Sequence, residues 1–186
     1  MYKMYSTNIE TNITEETSKF QKGNWINMVS PSEQEIQEVC KNIDIQDSFI
    51  KYALDAEEKA RIDIEDDDNT LLFIIDTPIT ELEAGTKIYS TTPIGIIFVR
   101  DDYMITVTLD SNPMLEDFIT KKFKDIITYK KSRTLFQLFY FNSEMFLNML
   151  KKLNKETEIA ENVLKNSMKN KELLKLLSLE KGLVYF

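Results

Sequence analysis

Carboxylate side chains are concentrated in one short part of this sequence, residues 55–68. Eight acidic residues stand there against Lys59 and Arg61, which gives the segment a net charge of −6 in a chain of net charge −8. Hard divalent cations such as Mg²⁺ prefer carboxylate oxygens as ligands. Asp55, Glu57 and Glu58 follow a predicted helix at the start of the segment. We take these three as the candidate metal-ligating residues.

The acidic segment does not have the spacing of an EF-hand. The alternating acids, the central glycine and the distal glutamate of that motif are missing. The alternative to a cation site is that Asp66, Asp67 and Asp68 form the solvated turn of a hairpin, which is the usual role of a run of charges. Both interpretations stay open on the sequence alone.

Basic side chains are concentrated in a second segment, residues 121–133. Its members are Lys121, Lys122, Lys124, Lys130, Lys131 and Arg133, with Asp125 among them. Such a segment can bind phosphate or an anionic surface. The alternative is the solvated outer face of a helix.

Missing residue types exclude several classes of function. The chain has no histidine, so Ser-His-Asp and Cys-His catalytic systems and His-ligated zinc are excluded. Its single cysteine, Cys40, has no partner for an intramolecular disulfide, which fits a reducing compartment. The excess of acidic residues argues against nucleic acid as a partner. No set of residues points to an enzyme, and we predict no catalytic residues.

The spacing of apolar residues predicts the elements that hold these segments. Residues 1–7 and 25–29 are typical of strands. The stretch 30–33 predicts a helix start, with Ser30 as N-cap, Pro31 in the first turn and Glu33 completing a capping box. That helix is predicted to run to about Lys41, and a second helical pattern covers 49–54.

A run of strands follows. Residues 61–65 and 71–76 predict a hairpin, and further strands are predicted at 87–90, 95–99 and 104–109. A helix is expected from Asn112 to about Ile127. The predicted fold class is therefore α/β (α+β), a mixed β-sheet sandwiched between helices and followed by a long C-terminal helical pair.

The chain is predicted to be helical from Ser132 to its last residue, with a break at 166–171. We expect two domains, an α/β/α sandwich over 1–130 and a helical extension over 131–186. The last helix ends without a capping residue, so we expect this chain to be a fragment cut within a helix. The longest apolar runs are far shorter than the roughly 18 to 20 residues of a membrane span.

Several blocks of the sequence occur in the order in which one protein family has them, and together they span nearly all of residues 22–186. They are WINMV at 25–29, KARIDIE at 59–65, TPIGII at 92–97, ITV at 105–107, LEK at 179–181 and LVYF at 183–186. In these blocks the chain resembles the cytoplasmic amino-terminal region of the CorA family of magnesium and cobalt transporters.

The resemblance implies an α/β/α sandwich and a helical pair that precedes a stalk helix entering the membrane. Family members are homopentameric channels, and their pore, with its Gly-Met-Asn motif, would lie after residue 186. The resemblance thus implies a regulatory domain on the cytoplasmic side of the membrane that does not itself transport. Its expected partners are its own transmembrane domain, other copies of itself and divalent cations, with Mg²⁺ as the regulatory ion.

The sequence departs from the family at the expected regulatory metal site. The family's inter-subunit site uses an adjacent Glu-Asp pair, and Lys51 and Tyr52 stand at those positions here. We hypothesise that Asp55, Glu57 or Glu58, about one turn further along, substitutes for that pair. Which divalent ion is transported stays open.

A second hypothesis is a free-standing soluble protein that shares the fold and binds a ligand or a partner helix on the Phe- and Met-rich helical face at 136–149. For the isolated chain we expect a monomer or a weak dimer.

Overall fold

The computed structural model describes residues 1–65, 69–83, 86–100, 102–166 and 170–186. Seven strands and five α-helices follow one another in this part of the chain. They are β1 (Tyr2–Thr7), β2 (Thr14–Thr17), β3 (Trp25–Val29), α1 (Glu33–Ile43), α2 (Asp47–Tyr52), β4 (Arg61–Glu65), β5 (Thr70–Glu83), β6 (Thr86–Val99), β7 (Tyr103–Thr108), α3 (Pro113–Lys122), α4 (Lys131–Asn166) and α5 (Asn170–Tyr185). A short 3-10 helix, Phe123–Asp125, follows α3.

The strands form one mixed sheet in the order β2-β1-β3-β7-β6-β5-β4. Strands β3 and β7 pair in parallel, whereas β1 pairs antiparallel with both β2 and β3, β4 with β5, and β6 with β7. Helices lie before and after the long strands, and two long helices end the chain. The predicted fold class is confirmed.

The chain divides into two compact units. Unit 1 contains residues 1–76 and 93–139, and unit 2 contains 77–92 and 140–186. The predicted domain boundary after residue 130 stays a prediction. The break predicted at 166–171 includes residues 167–169, which lie outside the described residues.

Alternating side chains of the central strands build the core of unit 1. Ile26 and Met28 of β3 pack with Ile105 and Val107 of β7 in one cluster that also holds the buried face of α1. Trp25 points to the opposite face, where its ring lies 6.3 Å from the ring of Phe118 in α3. Because strand side chains alternate, helices can cover both faces of the sheet.

The start of α1 corrects the predicted cap. The N-cap is Ser32, whose hydroxyl accepts from Glu35 N at 3.3 Å while Ser32 N donates to the Glu35 carboxylate at 2.9 Å. Ser30 does not cap because it lies three residues before the first helical residue, Glu33, and its φ of +43° differs from the extended conformation of an N-cap. Its N–H donates to Thr108 O of β7 at 2.9 Å. Both serines have a glutamate three residues later, so the capping-box pattern alone does not distinguish them.

Helix α3 is shorter than predicted, ending at Lys122 instead of near Ile127. Residues 126–128 are held instead by threonines of the sheet: Thr14 Oγ1 donates to Ile126 O at 2.6 Å. Thr128 N donates to Thr7 Oγ1 at 2.8 Å, and Thr7 N donates to Thr128 Oγ1 at 3.0 Å. These contacts, distant in sequence, replace the helical hydrogen bonds of the last predicted turn.

The predicted hairpin of 61–65 and 71–76 is confirmed, with Arg61 opposite Ile74 and Glu65 opposite Thr70. Its predicted turn at Asp66–Asp68 lies outside the described residues. Strands β5 and β6 are longer than predicted, 14 residues each, so the segments predicted at 87–90 and 95–99 belong to one strand. Strand β2, with the polar sequence TEET, was not predicted because it has no apolar alternation.

Gly95 allows the end of α2 to approach β6. A Cβ atom at Gly95 would overlap the Cβ of Ala53, the residue that follows α2, and would also approach Leu72. Ala53 is fully buried. An isolated glycine within an apolar strand commonly marks such a close approach. This contact positions the segment that carries the candidate ligands.

We expect Gly95→Ala to destabilise the protein by about 1 to 3 kcal/mol, because overpacking moves backbone in a filled core. Urea unfolding measures the loss. In an Ala53→Gly background the same substitution should cost much less, since the overlapping methyl group is gone. Equal losses in the two backgrounds would contradict the assigned contact.

In unit 2 the helical pair packs on Tyr89 of β6. Leu153, Ala160 and Leu179 form a buried cluster with the Tyr89 ring, and Tyr89 OH donates to Glu156 Oε1 at 2.9 Å. A Cβ at Gly182 would lie 3.0 Å from the Cβ of Tyr89, so α5 needs a glycine at this crossing. Burial, with the hydrogen bond to Glu156, raises the pKa of Tyr89 to about 12.

The raised pKa of Tyr89 predicts a stability change at high pH. The protonated phenol is favoured in the fold, so this contribution is complete below the unfolded pKa of about 10 and is lost as pH rises towards 12. We expect Tyr89→Phe to cost about 1 to 2 kcal/mol at pH 8 and progressively less above pH 10. Urea unfolding from pH 8 to 11 measures this. The exposed Tyr140→Phe is the control, and a cost at Tyr89 that is independent of pH would contradict the assignment.

Candidate cation site beside helix α2

Helix α2 presents a lysine where the resemblance predicts a metal ligand. Lys51 Nζ lies 2.8 Å from Asp47 Oδ2 and 3.4 Å from Glu33 Oε2 of α1. The hydrogen bond between Lys51 and Asp47 lowers the pKa of the carboxyl and raises the pKa of the ammonium. The nearby carboxylates of both helices are thus paired with a cation of the chain itself.

The three candidate ligands follow α2 in a turn. Asp55 Oδ1 accepts from Glu57 N at 2.9 Å, and Glu58 N donates to Asp55 O at 3.2 Å. The carboxylate of Asp55 therefore stabilises the turn, as aspartate commonly does. The side chains of Asp55 and Glu57 are exposed, and that of Glu58 is half-buried.

Arg61, the first residue of β4, binds the carboxylate of Glu58. Its Nε lies 2.6 Å from Asp63 Oδ2, its Nη1 forms an ion pair with Glu58 Oε1, and its guanidinium lies 5.1 Å from the centre of the Tyr52 ring. The hydrogen bond to Asp63 is the main cause that raises the pKa of Arg61, followed by that to Glu58. Arg61 thus links the end of α2 to the edge of the sheet.

The structure does not bring the three candidates together as a ligand set. Asp55 is engaged in its turn, Glu58 is neutralised by Arg61, and Glu57 extends into solvent. Over the described ranges, no group of three Asp, Glu, Cys or His side chains is placed to hold a metal ion. The assignment of Asp55, Glu57 and Glu58 stays a prediction. Sequence analysis missed the role of Arg61, although its place among eight acids was the available signal.

The basic segment extends from α3 to the start of α4. Lys121 Nζ lies 2.6 Å from Asp117 Oδ2, and Lys131 Nζ donates to Arg100 O at 2.8 Å beside the Phe98 ring. The other four members, Lys122, Lys124, Lys130 and Arg133, are exposed, and among the described residues none of them has an acidic partner within ion-pair distance.

Comparison with solved structures identifies the fold. The soluble domain of CorA from Methanocaldococcus jannaschii matches all of this chain and 72% of that one, with a TM-score of 0.81 and 23% identity. The complete CorA magnesium transporter of the same organism matches with a TM-score of 0.78 and 22% identity over 100% of this chain and 58% of that one. The ZntB cytoplasmic domain from Vibrio parahaemolyticus matches with a TM-score of 0.63 and 11% identity over 95% and 72%.

Comparison of sequences identifies the family. The model of the family described as CorA-like Mg²⁺ transporter protein matches residues 20–186. The cobalt/magnesium transport protein CorA of Methanocaldococcus jannaschii is 26% identical over 171 residues, which are 87% of this chain and 50% of that protein. This chain belongs to the CorA-like family. It spans about half the length of the curated relative, and among its described helices none is long and apolar enough to cross a membrane.

If Asp55, Glu57 and Glu58 bind Mg²⁺, the ion must compete with Arg61 for Glu58. We therefore expect Arg61→Gln to lower the Mg²⁺ concentration that half-saturates the thermal stabilisation of the chain, and Glu58→Gln to raise it. Melting temperature measured across a Mg²⁺ titration tests this.

The matched control is Glu16→Gln, an exposed acid of β2 at the other edge of the sheet. A Mg²⁺ response that is the same in all these variants would rule out the three candidates as ligands.

Proposed function

We propose that this chain is the cytoplasmic domain of a CorA-type divalent-cation transporter and that its role is regulatory and structural. In this proposal Mg²⁺ or Co²⁺ is the transported substrate, and conduction belongs to transmembrane segments that follow residue 186. The whole protein would be a homopentamer, with this domain on the cytoplasmic side of the membrane. The observation that carries the proposal is the family match over residues 20–186.

The helical pair supports a mechanical role. Helix α4 has 36 residues and is therefore about 54 Å long at 1.5 Å per residue. Tyr89 fixes α4 through Glu156 and Leu153, and the missing side chain of Gly182 lets α5 pack against the same ring. We infer that a helix pair held this closely moves as one body. We infer that it transmits a movement of the strands towards the membrane segments.

The ion pairs beside α2 determine which carboxylates are available for regulation by Mg²⁺. Lys51 pairs with the carboxylate of Asp47, and Arg61 pairs with the carboxylates of Glu58 and Asp63. We infer that regulation by Mg²⁺ at this place, if it operates through Asp55, Glu57 and Glu58, depends on displacing Arg61 from Glu58.

Reading the gene beyond codon 186 is the first test. We expect two apolar segments of about 20 residues, with Gly-Met-Asn closing the first. A stop codon within a turn or two would instead support the free-standing binding protein, for which the helical face at 136–149, with the exposed side chains of Tyr140 and Leu147, would be the surface to examine.

The functional test is uptake of Mg²⁺ and Co²⁺ by cells that lack their own transporter and express the whole gene. Gly182→Val should shift the Mg²⁺ concentration at which uptake stops, because the new side chain separates α5 from Tyr89. Lys152→Ala, an exposed change on α4, is the control. Equal uptake curves for both variants at equal abundance in the membrane would argue against a regulatory helical pair.

A further inference from the structure

Unit 1 has a polar cleft beside the β1–β2 hairpin. Its volume is about 680 Å³, and its walls come from the hairpin, from residues 21–23 and from Tyr129. This volume is within the range of small-molecule sites. One basic residue, Lys22, lines the cleft, together with three carboxylates, those of Glu10, Glu15 and Glu16. The excess of carboxylates makes the cleft a candidate site for a cationic ligand.

Two of the three carboxylates have no counter-charge from the chain. Lys22 Nζ lies 3.0 Å from Asp102 Oδ2, and Glu16 is paired with a lysine of β1 at 3.4 Å. Within the described ranges, no lysine or arginine is at ion-pair distance from Glu10 or Glu15. Both of these side chains are exposed, so they can bind a ligand without losing an internal partner.

Hydrogen bonds hold the walls of the cleft in place. In the hairpin loop, Asn8 Oδ1 accepts from Glu10 N at 2.9 Å, and Asn8 N donates to Ile13 O at 2.9 Å. Tyr129 OH donates to Asn12 Oδ1 at 2.9 Å, which fixes the phenol against the same loop. The cleft is therefore formed by contacts within the chain, as small-molecule sites usually are.

The two free carboxylates lie at different positions along the hairpin. Glu15 stands opposite Ser6, whereas Glu10 lies in the loop that begins two strand steps further along, about 7 Å at 3.4 Å each. Ile9 and Ile13, which are 75% and 56% exposed, belong to the same loop and also line the cleft. Among the described residues, no three acidic side chains are placed to hold a metal ion. Separate charges with apolar surface between them suit a ligand whose cationic groups are joined by methylene chains.

We propose that this cleft binds a linear polyamine. The protonated amines pair with the carboxylates of Glu10 and Glu15, and the methylene groups contact Ile9 and Ile13. The aromatic ring of Tyr129 contacts an ammonium group. A single divalent cation would use only the carboxylates and would leave the isoleucines and the ring without a role. The site concerns unit 1 alone and does not depend on the transport proposal.

Isothermal titration calorimetry of the 186-residue chain with spermidine is the first measurement. At about 0.1 M salt, where charges act over roughly 10 Å, we expect saturable binding at one site. Butylamine, which has a single ammonium group, should bind about fivefold more weakly or worse, since it can pair with only one carboxylate. A chain that shows no saturable binding of spermidine would overturn the proposal.

Charge removal locates the site. We expect Glu10→Gln with Glu15→Gln to weaken spermidine binding by about tenfold. The matched control is Glu57→Gln with Glu65→Gln, which removes the same charge from exposed positions of the other acidic segment. Urea unfolding of both double variants confirms that they are folded. Equal losses in the two double variants would show a general attraction of polyamines to an acidic protein and would overturn the proposal.

Two substitutions of Tyr129 test the aromatic contact. Tyr129→Phe and Tyr129→Leu both remove the hydrogen bond to Asn12, but only the second removes the ring. We expect the leucine variant to bind spermidine about threefold more weakly than the phenylalanine variant. Equal affinities of the two variants would overturn the proposed site.

Competition experiments distinguish the polyamine from other cations. Mg²⁺ and K⁺ at equal ionic strength should displace spermidine equally, and a much stronger effect of Mg²⁺ would assign the cleft to a metal ion. Tetralysine should bind no more tightly than spermidine. Much tighter binding of tetralysine that requires Glu10 and Glu15 would assign the cleft to a basic segment of another protein. Either of these results would overturn the proposal.

Discussion

The parallel pairing of β3 with β7 is the contact on which the rest of unit 1 depends. These two strands lie at the centre of the sheet, and the helices that follow them pack on opposite faces, α1 over Ile26 and Met28 and α3 over Trp25. The indole Nε1 of Trp25 donates to Thr106 Oγ1 at 3.0 Å, and that hydroxyl donates to Asn27 Oδ1 at 2.8 Å. The buried polar groups of Trp25, Thr106 and Asn27 thus satisfy one another, so this part of the parallel pair can be covered by helices on both faces.

Close backbone approaches determine where the helices sit in each unit. In unit 1 the end of α2 can reach β6 because Gly95 has no side chain to meet Ala53, and in unit 2 α5 can reach Tyr89 because of Gly182. A close-packed core has low compressibility and therefore transmits strain. Helices held by such contacts are suited to a domain that transmits movement, as the transporter proposal requires.

At the exposed edge of unit 1, in contrast, ion pairs determine how the charged side chains are arranged. Acidic residues surround α2 and β4, and the chain supplies its own counter-charges in Lys51 and Arg61. The Lys51 pairs are exposed and add little stability, whereas the pair of Arg61 with Glu58 is half-buried. Both sets of pairs decide which carboxylates are available to an ion. Asp55, Glu57 and Glu65 remain exposed, whereas Glu58 and Asp63 are engaged by Arg61.

The sequence by itself determined the fold class, the family and the position of most strands, because apolar periodicity and the order of family blocks are local and can be read from one chain. Only the tertiary structure decided that Ser32 rather than Ser30 caps α1, that residues 126–128 leave the helix and that Arg61 holds Glu58. The first two depend on partners far along the chain, Thr108 for Ser30 and the threonines of β1 and β2 for residues 126–128, whereas the third depends on the turn that brings Glu58 back to Arg61. Neither a capping pattern nor a run of acidic residues shows which partner a side chain binds in the fold. Residue spacing therefore identified candidate caps and candidate ligands, but it could not select among them.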